Sequence, residues 1–173
     1  AYGLTRVDLT IDSENLAKLN ATVWAKVPVS GRVTIGGREL KTNVSYSGKS
    51  TIDAIKKSYE LELADGERFR GRSRYRLSSA IMDSSGVKSA VGFKAFETAG
   101  LMAPRIEPVA VFLNGDYAGL FSLLEPVDRE FLETRGIAVK NLVKLQYSNA
   151  DFGEENLLDT EAAFDVKGDP EFL

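Results

Sequence analysis

The chain has 173 residues, 43% of them apolar and 27% charged, with a net charge of −3. That suits one domain with a real core, and it gives no footprint for disorder or for nucleic acid. With no Cys and no His, thiolate nucleophiles, disulfides, cysteine zinc sites, Ser-His triads and imidazole bases are excluded. The remaining possibilities are carboxylate, lysine or arginine chemistry, hard metals held by oxygens, or no chemistry. No apolar run approaches the roughly 18 residues of a membrane span. The start at Ala1-Tyr2, with no initiator Met and no leader, is what a trimmed segment of a longer protein would show.

In chain order, "LTRVDLTI" places Val7, Leu9 and Ile11 on one face at period two, a strand. "ENLAKL" reads as a short helix with Ser13 as its cap. "ATVWAKV" and "GRVTIGG" read as two strands around a Pro28–Gly31 turn. In "RELKTNVSY", Leu40, Thr42, Val44 and Tyr46 alternate as a further strand. "KKSYELEL" alternates too: Lys57, Tyr59, Leu61 and Leu63 share one face, and Lys56, Ser58, Glu60 and Glu62 the other. Asp83 and Ser84 cap a predicted helix from Ser85 to Thr98, ended by Gly100, with Val87, Ala90, Val91 and Ala95 as its apolar stripe. "RIEPVAVFL", Asn114-Gly115 and "DYAGLFSLLE" form a hairpin. Val127 to Arg135 is a short helix stopped by Gly136, "NLVKLQY" is a strand, and the acidic tail holds one more in "AAFDVK". Antiparallel-looking strands, one main helix and few crossovers predict an α+β fold.

Gly48-Lys49-Ser50-Thr51 looks like the end of a P-loop. A P-loop needs glycine where Asn43 stands and a long helix after Thr51, and neither is present. Two readings are open for Lys57: a lysine snorkelling from a strand end, or one that meets nucleotide phosphates beside the small polar turn Tyr46–Ile52. The five arginines from Arg68 to Arg76 lie two apart. They form either a solvated strand face balanced by carboxylates or a phosphate-contacting stripe. The tail carboxylates, Glu154-Glu155 and Asp159 with Glu161, read as a solvated acidic loop or as acid/base partners.

Taken in order, "KKSYELEL", "YRLSSAIMDSSGVKSAVGFKAFETAGL", "APRIEPVAVFLNGDYAGLFSLLEPVD", "FLETRG" and "NLVKLQ" resemble the spore coat protein H (CotH) kinase family. The resemblance covers Tyr46 to Gln146 and is most distinctive at Asn114-Gly115, Gly119, Glu125 and Asp128. It implies the N-terminal lobe and hinge of an atypical protein kinase-like fold that binds ATP with magnesium. It also implies phosphate transfer to Ser residues of coat or surface proteins, in an extracellular, cell-surface or spore-coat setting.

Carried over by position, Lys57 is the lysine that meets ATP phosphates. Ser47, Gly48, Lys49 and Ser50 form the turn over the nucleotide, Glu125 to Val127 the hinge, and Glu97 the carboxylate that pairs with Lys57. The family arginine before the glycine is absent from this turn. The family's Asp-x-Asp element is not in this chain, so the metal ligands are expected outside it. The implied organisation is N-terminal strands over residues 1–45, a nucleotide-binding core over 46–147, and an acidic tail over 148–173 that begins a further lobe. The implied partners are ATP and a Ser-rich protein, with no nucleic acid and no membrane span. Two rivals stand beside this reading. One is a non-catalytic surface module that keeps the fold. The other is an unrelated α+β domain of a secreted carbohydrate-associated protein.

Overall fold

The computed structural model describes residues 3–83, 85–145 and 164–167, with side chains as far as residue 143. The chain divides into two compact units, Ala1–Pro126 and Val127–Leu173. The first is built of β1 (Thr5–Thr10), α1 (Ser13–Ala21), β2 (Val29–Ile35), β3 (Arg38–Ser47), β4 (Ser58–Leu63), β5 (Arg74–Ser78), α2 (Lys88–Thr98), β6 (Ile106–Leu113) and β7 (Asp116–Leu124). Its strands close into one barrel in the order β1-β2-β3-β4-β5-β7-β6.

Closure comes from β1, which pairs antiparallel with β2 (Val7 opposite Ile35) and parallel with β6 (Val7 opposite Val111). The expected α+β lobe, a mostly antiparallel sheet with one main helix, is therefore corrected to a closed mixed barrel. The physical reason is the β1–β6 pairing, which joins segments about a hundred residues apart and leaves no open sheet edge in this unit. The expected main helix, α2, forms no layer against it: it has no buried residue, and its stripe residues Val87 and Val91 are exposed.

The interior follows from period two. Leu40, Thr42, Val44 and Tyr46 of β3 are buried, as are Tyr59, Leu61 and Leu63 of β4. They meet Val7, Leu9, Val33, Ile35, Leu77, Val109, Val111, Phe121 and Leu123 in one core. Leu19 of α1 joins this core, and Asn20 of the same helix accepts a 2.6 Å hydrogen bond from the Tyr46 hydroxyl. The α1 cap is Asp12, whose carboxylate accepts from the Asn15 amide, rather than Ser13. "ATVWAKV" is the end of α1 followed by turns, not a strand: Trp24 and Val27 are exposed, and Lys26 takes a left-handed φ of 51°. Asn114 and Gly115 have φ of 51° and 95°, which suits a tight primed hairpin between β6 and β7.

In the second unit, α3 (Arg129–Glu133) is capped by Asp128, whose carboxylate accepts from the Phe131 amide at 2.8 Å. β8 (Leu142–Leu145) and β9 (Phe164–Lys167) pair antiparallel. The carboxylates of residues 154–161 lie outside the described residues. Among the described residues no helix is long and apolar enough to cross a membrane.

Candidate functional site

The turn that links β3 to β4 is the centre of the site. Tyr46 and Ser47 close β3 and are both buried, so they are part of the barrel rather than of the turn. Gly48 has a φ of 128°, and a Cβ there would lie 3.1 Å from Thr51 Oγ1, so glycine fits this entry and larger residues strain it. Two consecutive turns follow, closed by the Ile52 amide on the Lys49 carbonyl and the Ala54 amide on the Thr51 carbonyl. Ile52 anchors the turn by burying its side chain, while Lys49, Ser50 and Ile55 face outward.

The two lysines that end the turn have different surroundings. Lys57 donates from Nζ to the Ile52 carbonyl at 2.6 Å, and its ammonium lies 5.8 Å from the centre of the Tyr46 ring. Lys56 points to the opposite side, with Ser58. Its Nζ donates to the Ser79 carbonyl at 3.0 Å and to the Leu120 carbonyl, and sits 4.3 Å over the Phe121 ring. Burial pulls the Lys56 ammonium below its ordinary pKa. Glu97, on α2, pairs at 2.7 Å with Lys94, which holds its carboxyl below the usual range. Lys57 and Glu97 are thus each engaged elsewhere and do not pair with one another here.

On the same outer side, a cavity of about 360 Å³ runs along β5, β6 and β7 toward the N-terminal half of α2. Its polar wall is made of hydroxyls: Thr51 from the turn, Ser58 from β4, Ser78 and Ser79 at the end of β5, and Ser122 from β7. The Ser58 hydroxyl lies 3.0 Å from that of Ser79 and accepts the Ser79 amide at 2.9 Å. Ser122 alternates with the core residues Phe121 and Leu123, so its hydroxyl points out of the barrel and lines this cavity. The residue is 6% exposed, and its hydroxyl makes no hydrogen bond to the described residues. Phe93 of α2 and Leu124 supply an apolar wall, and Lys88 and Asp83 stand at the rim. Asp83 orders that rim by accepting from the Ser85 hydroxyl and from the amides of Ser85 and Lys88, contacts that hold its carboxyl below the usual range.

Glu125 ends β7, and its carboxylate is buried. It lies 3.5 Å from Arg72 Nε and accepts from the Arg105 amide at 3.1 Å, while its own amide donates to the Arg105 carbonyl. Arg72 also donates to the Pro126 carbonyl at 3.1 Å. Val127 is exposed and opens the second unit. The arginine series is not one stripe. Arg74 and Arg76 alone lie in β5, facing Glu62 and Glu60 across β4. Arg70 adopts a left-handed φ of 48° and pairs with Glu107, and Arg72 is buried.

Sequence reasoning singled out the turn and Lys57 as candidates. It missed Ser79, Ser122 and Lys56, because period two sends them to the outer face and an outer face reads as solvent. The available signal was the cluster of small hydroxyl residues in "YRLSSA" and "LFSLL" beside "KKSY".

Over residues 44–171 the sequence matches the family described as CotH kinase protein, and the chain belongs to that family. It is similar to the inner spore coat protein H of Bacillus subtilis (strain 168), 27% identical over 130 residues. That alignment covers 75% of this chain and 36% of the relative, so the chain spans little more than a third of its relative's length.

Proposed function

We propose that this chain is the nucleotide-covering part of a CotH family protein kinase, binding ATP and acting with the rest of the polypeptide to phosphorylate Ser residues of coat or surface proteins. The observation that carries the reading is the family match over residues 44–171, which takes in the turn, Lys57 and the whole cavity wall. The setting proposed is a spore coat or cell surface, on the strength of the relative's name.

The residues suit a nucleotide. The hydroxyls of Ser58, Ser79 and Ser122 offer donors and acceptors to ribose and phosphate oxygens, and Ser122 has bonding capacity unused by the described residues. Phe93 and Leu124 offer apolar surface, and Lys57 and Lys49 place positive charge at the turn. The hinge role expected of Glu125 and Val127 is not part of this proposal, because the Glu125 carboxylate faces Arg72 and the Arg105 amide. Magnesium is different: among the described residues no group of three or more carboxylates is placed to hold a metal ion. No step is therefore assigned to a metal here. In the transfer, a bond forms from the substrate Ser oxygen to the γ-phosphorus and the bond to the ADP oxygen breaks. The hydroxyl proton goes to a base outside the described residues.

The test uses the full-length polypeptide, Mg-ATP and a Ser-rich coat protein. Phosphate incorporation is expected, and Lys57→Ala is expected to lower it at least about tenfold, the scale of one charge-assisted phosphate contact. Absence of ATP binding by the wild type in calorimetry would overturn the reading. The alternative of a non-catalytic surface module is favoured by one observation, the Lys57 ammonium already engaged by the Ile52 carbonyl. It predicts partner binding that Lys57→Ala leaves unchanged.

A further inference from the structure

Lys56 carries an inference that the family likeness does not supply. Its ammonium joins three segments: the turn it ends, the Ser79 carbonyl just past β5, and the Leu120 carbonyl of β7. Ser79 is bound a second and third time, through its amide and hydroxyl, to Ser58, two residues beyond Lys56. The backbone of β7 makes room for this contact. Gly119 has a φ of 120°, and a Cβ there would come within 3.3 Å of Lys56 Cε and 3.5 Å of Nζ. β7 also bulges just before it, with Val111 facing Gly119 and Phe112 facing Tyr117. A side chain at position 119 would need both an unfavourable backbone and space already filled by the lysine.

We propose that Lys56 is the positioning residue of this site, clasping the Gly48–Lys57 turn onto the end of β5 and the middle of β7 so that the turn, through Thr51, and the Ser58–Ser79 pair form one fixed wall of the cavity. Lys56 does not line the cavity and does not touch a ligand. It acts through Ser79, whose carbonyl it holds and whose hydroxyl is in the wall. The inference that this ordering serves a nucleotide rests on the reading given above. The clasp itself does not.

The experiment is amide hydrogen exchange on the full chain for wild type, Lys56→Met and Lys56→Gln. Lys41→Met serves as control, since it removes a lysine from an exposed position of β3. Lys56→Met is expected to speed exchange at Ile52, Ala54 and Ser79 by about tenfold or more, the scale of losing hydrogen bonds from a charged donor. Amides on the far side of the barrel, at Val7 and Val33, and the Lys41→Met protein are expected to keep wild-type rates. Lys56→Gln retains a donor and is expected to fall between. Unchanged rates in the turn would overturn the proposal. Equal acceleration at Val7 and Val33 would also overturn it, because Lys56 would then be a general stabiliser. If Lys56→Met does not fold, Lys56→Gln is read by the same criteria. Mg-ATP calorimetry on the same proteins separates the two claims. No binding by wild type removes the nucleotide reading and leaves the clasp standing on exchange alone. Binding that Lys56→Met does not weaken removes the positioning role.

Discussion

Charge and polarity are buried at both ends of the barrel, in different ways. At the end where β7 finishes, Arg72 and Glu125 are 2% and 3% exposed and face each other, with the Arg105 amide and the Pro126 carbonyl completing the arrangement. At the end where β4 begins, one ammonium is held by backbone carbonyls, two serines bind each other, and a third buried serine faces a cavity. The first arrangement is an opposite-charge pair that ties the segment before β5 to the end of β7, and Glu125 also lines a cavity of about 170 Å³ with Arg70 and Arg105. The second leaves bonding capacity beside an open space, which is what a ligand site requires. Polar burial alone does not separate structural from functional groups. What separates the two ends is the kind of group buried: an opposite-charge pair at one, and hydroxyls beside a backbone-held ammonium at the other.

The difference can be broken experimentally, and the largest effect belongs to the Arg72–Glu125 end. Arg72→Met leaves Glu125 buried without its opposite charge. A loss of about 3–5 kcal/mol in urea unfolding is expected, and the double variant Arg72→Met/Glu125→Leu should recover most of it. A loss under about 1 kcal/mol for the single variant would mean that the pair contributes as little as a surface one.

The aromatic pair near the open end gives an intermediate effect. Burial is the main cause that raises Tyr59 to a pKa of about 12, with Tyr46 at 5.5 Å between ring centres adding to it. The unfolded chain ionises near the ordinary value of about 10. Between those values the unfolded state loses the proton first, so stability falls as pH rises from about 10 to about 12. This part of the loss, on the order of 2 kcal/mol, should be absent in Tyr59→Phe. Parallel pH curves for the two proteins would contradict the assignment. The smallest effect is expected at Arg76 and Glu60, 3.7 Å apart on the partly exposed outer face. A double-mutant cycle there should give under about 1 kcal/mol.

The strands were legible because period two is a local signal. Leu40, Thr42, Val44 and Tyr46 face inward as their spacing predicts. Closure was not legible, because nothing local in "LTRVDLTI" or "RIEPVAVFL" says that the two segments lie side by side. "ATVWAKV" misled because its apolar residues lie in a helix end and turns, with Val23 reaching the core and Trp24 in solvent. The stripe on α2 misled in the opposite sense, being amphipathic yet unburied in this unit. At the site, the turn could be found from Gly48 and the polar residues after it. Lys56 could not be told from Lys57 by composition. Parity places Lys56 on the outer face with Ser58, and only the fold shows that Ser79 and β7 cover that face.

The most direct test of the account is hydrogen exchange on the full-length polypeptide with and without Mg-ATP. Protection is expected at residues 48–58, at Ser78 and Ser79, and at Ser122, with no change around Arg72. No protection anywhere, or protection centred on the Arg72–Glu125 end, would contradict the assignment of the nucleotide to the hydroxyl-lined cavity.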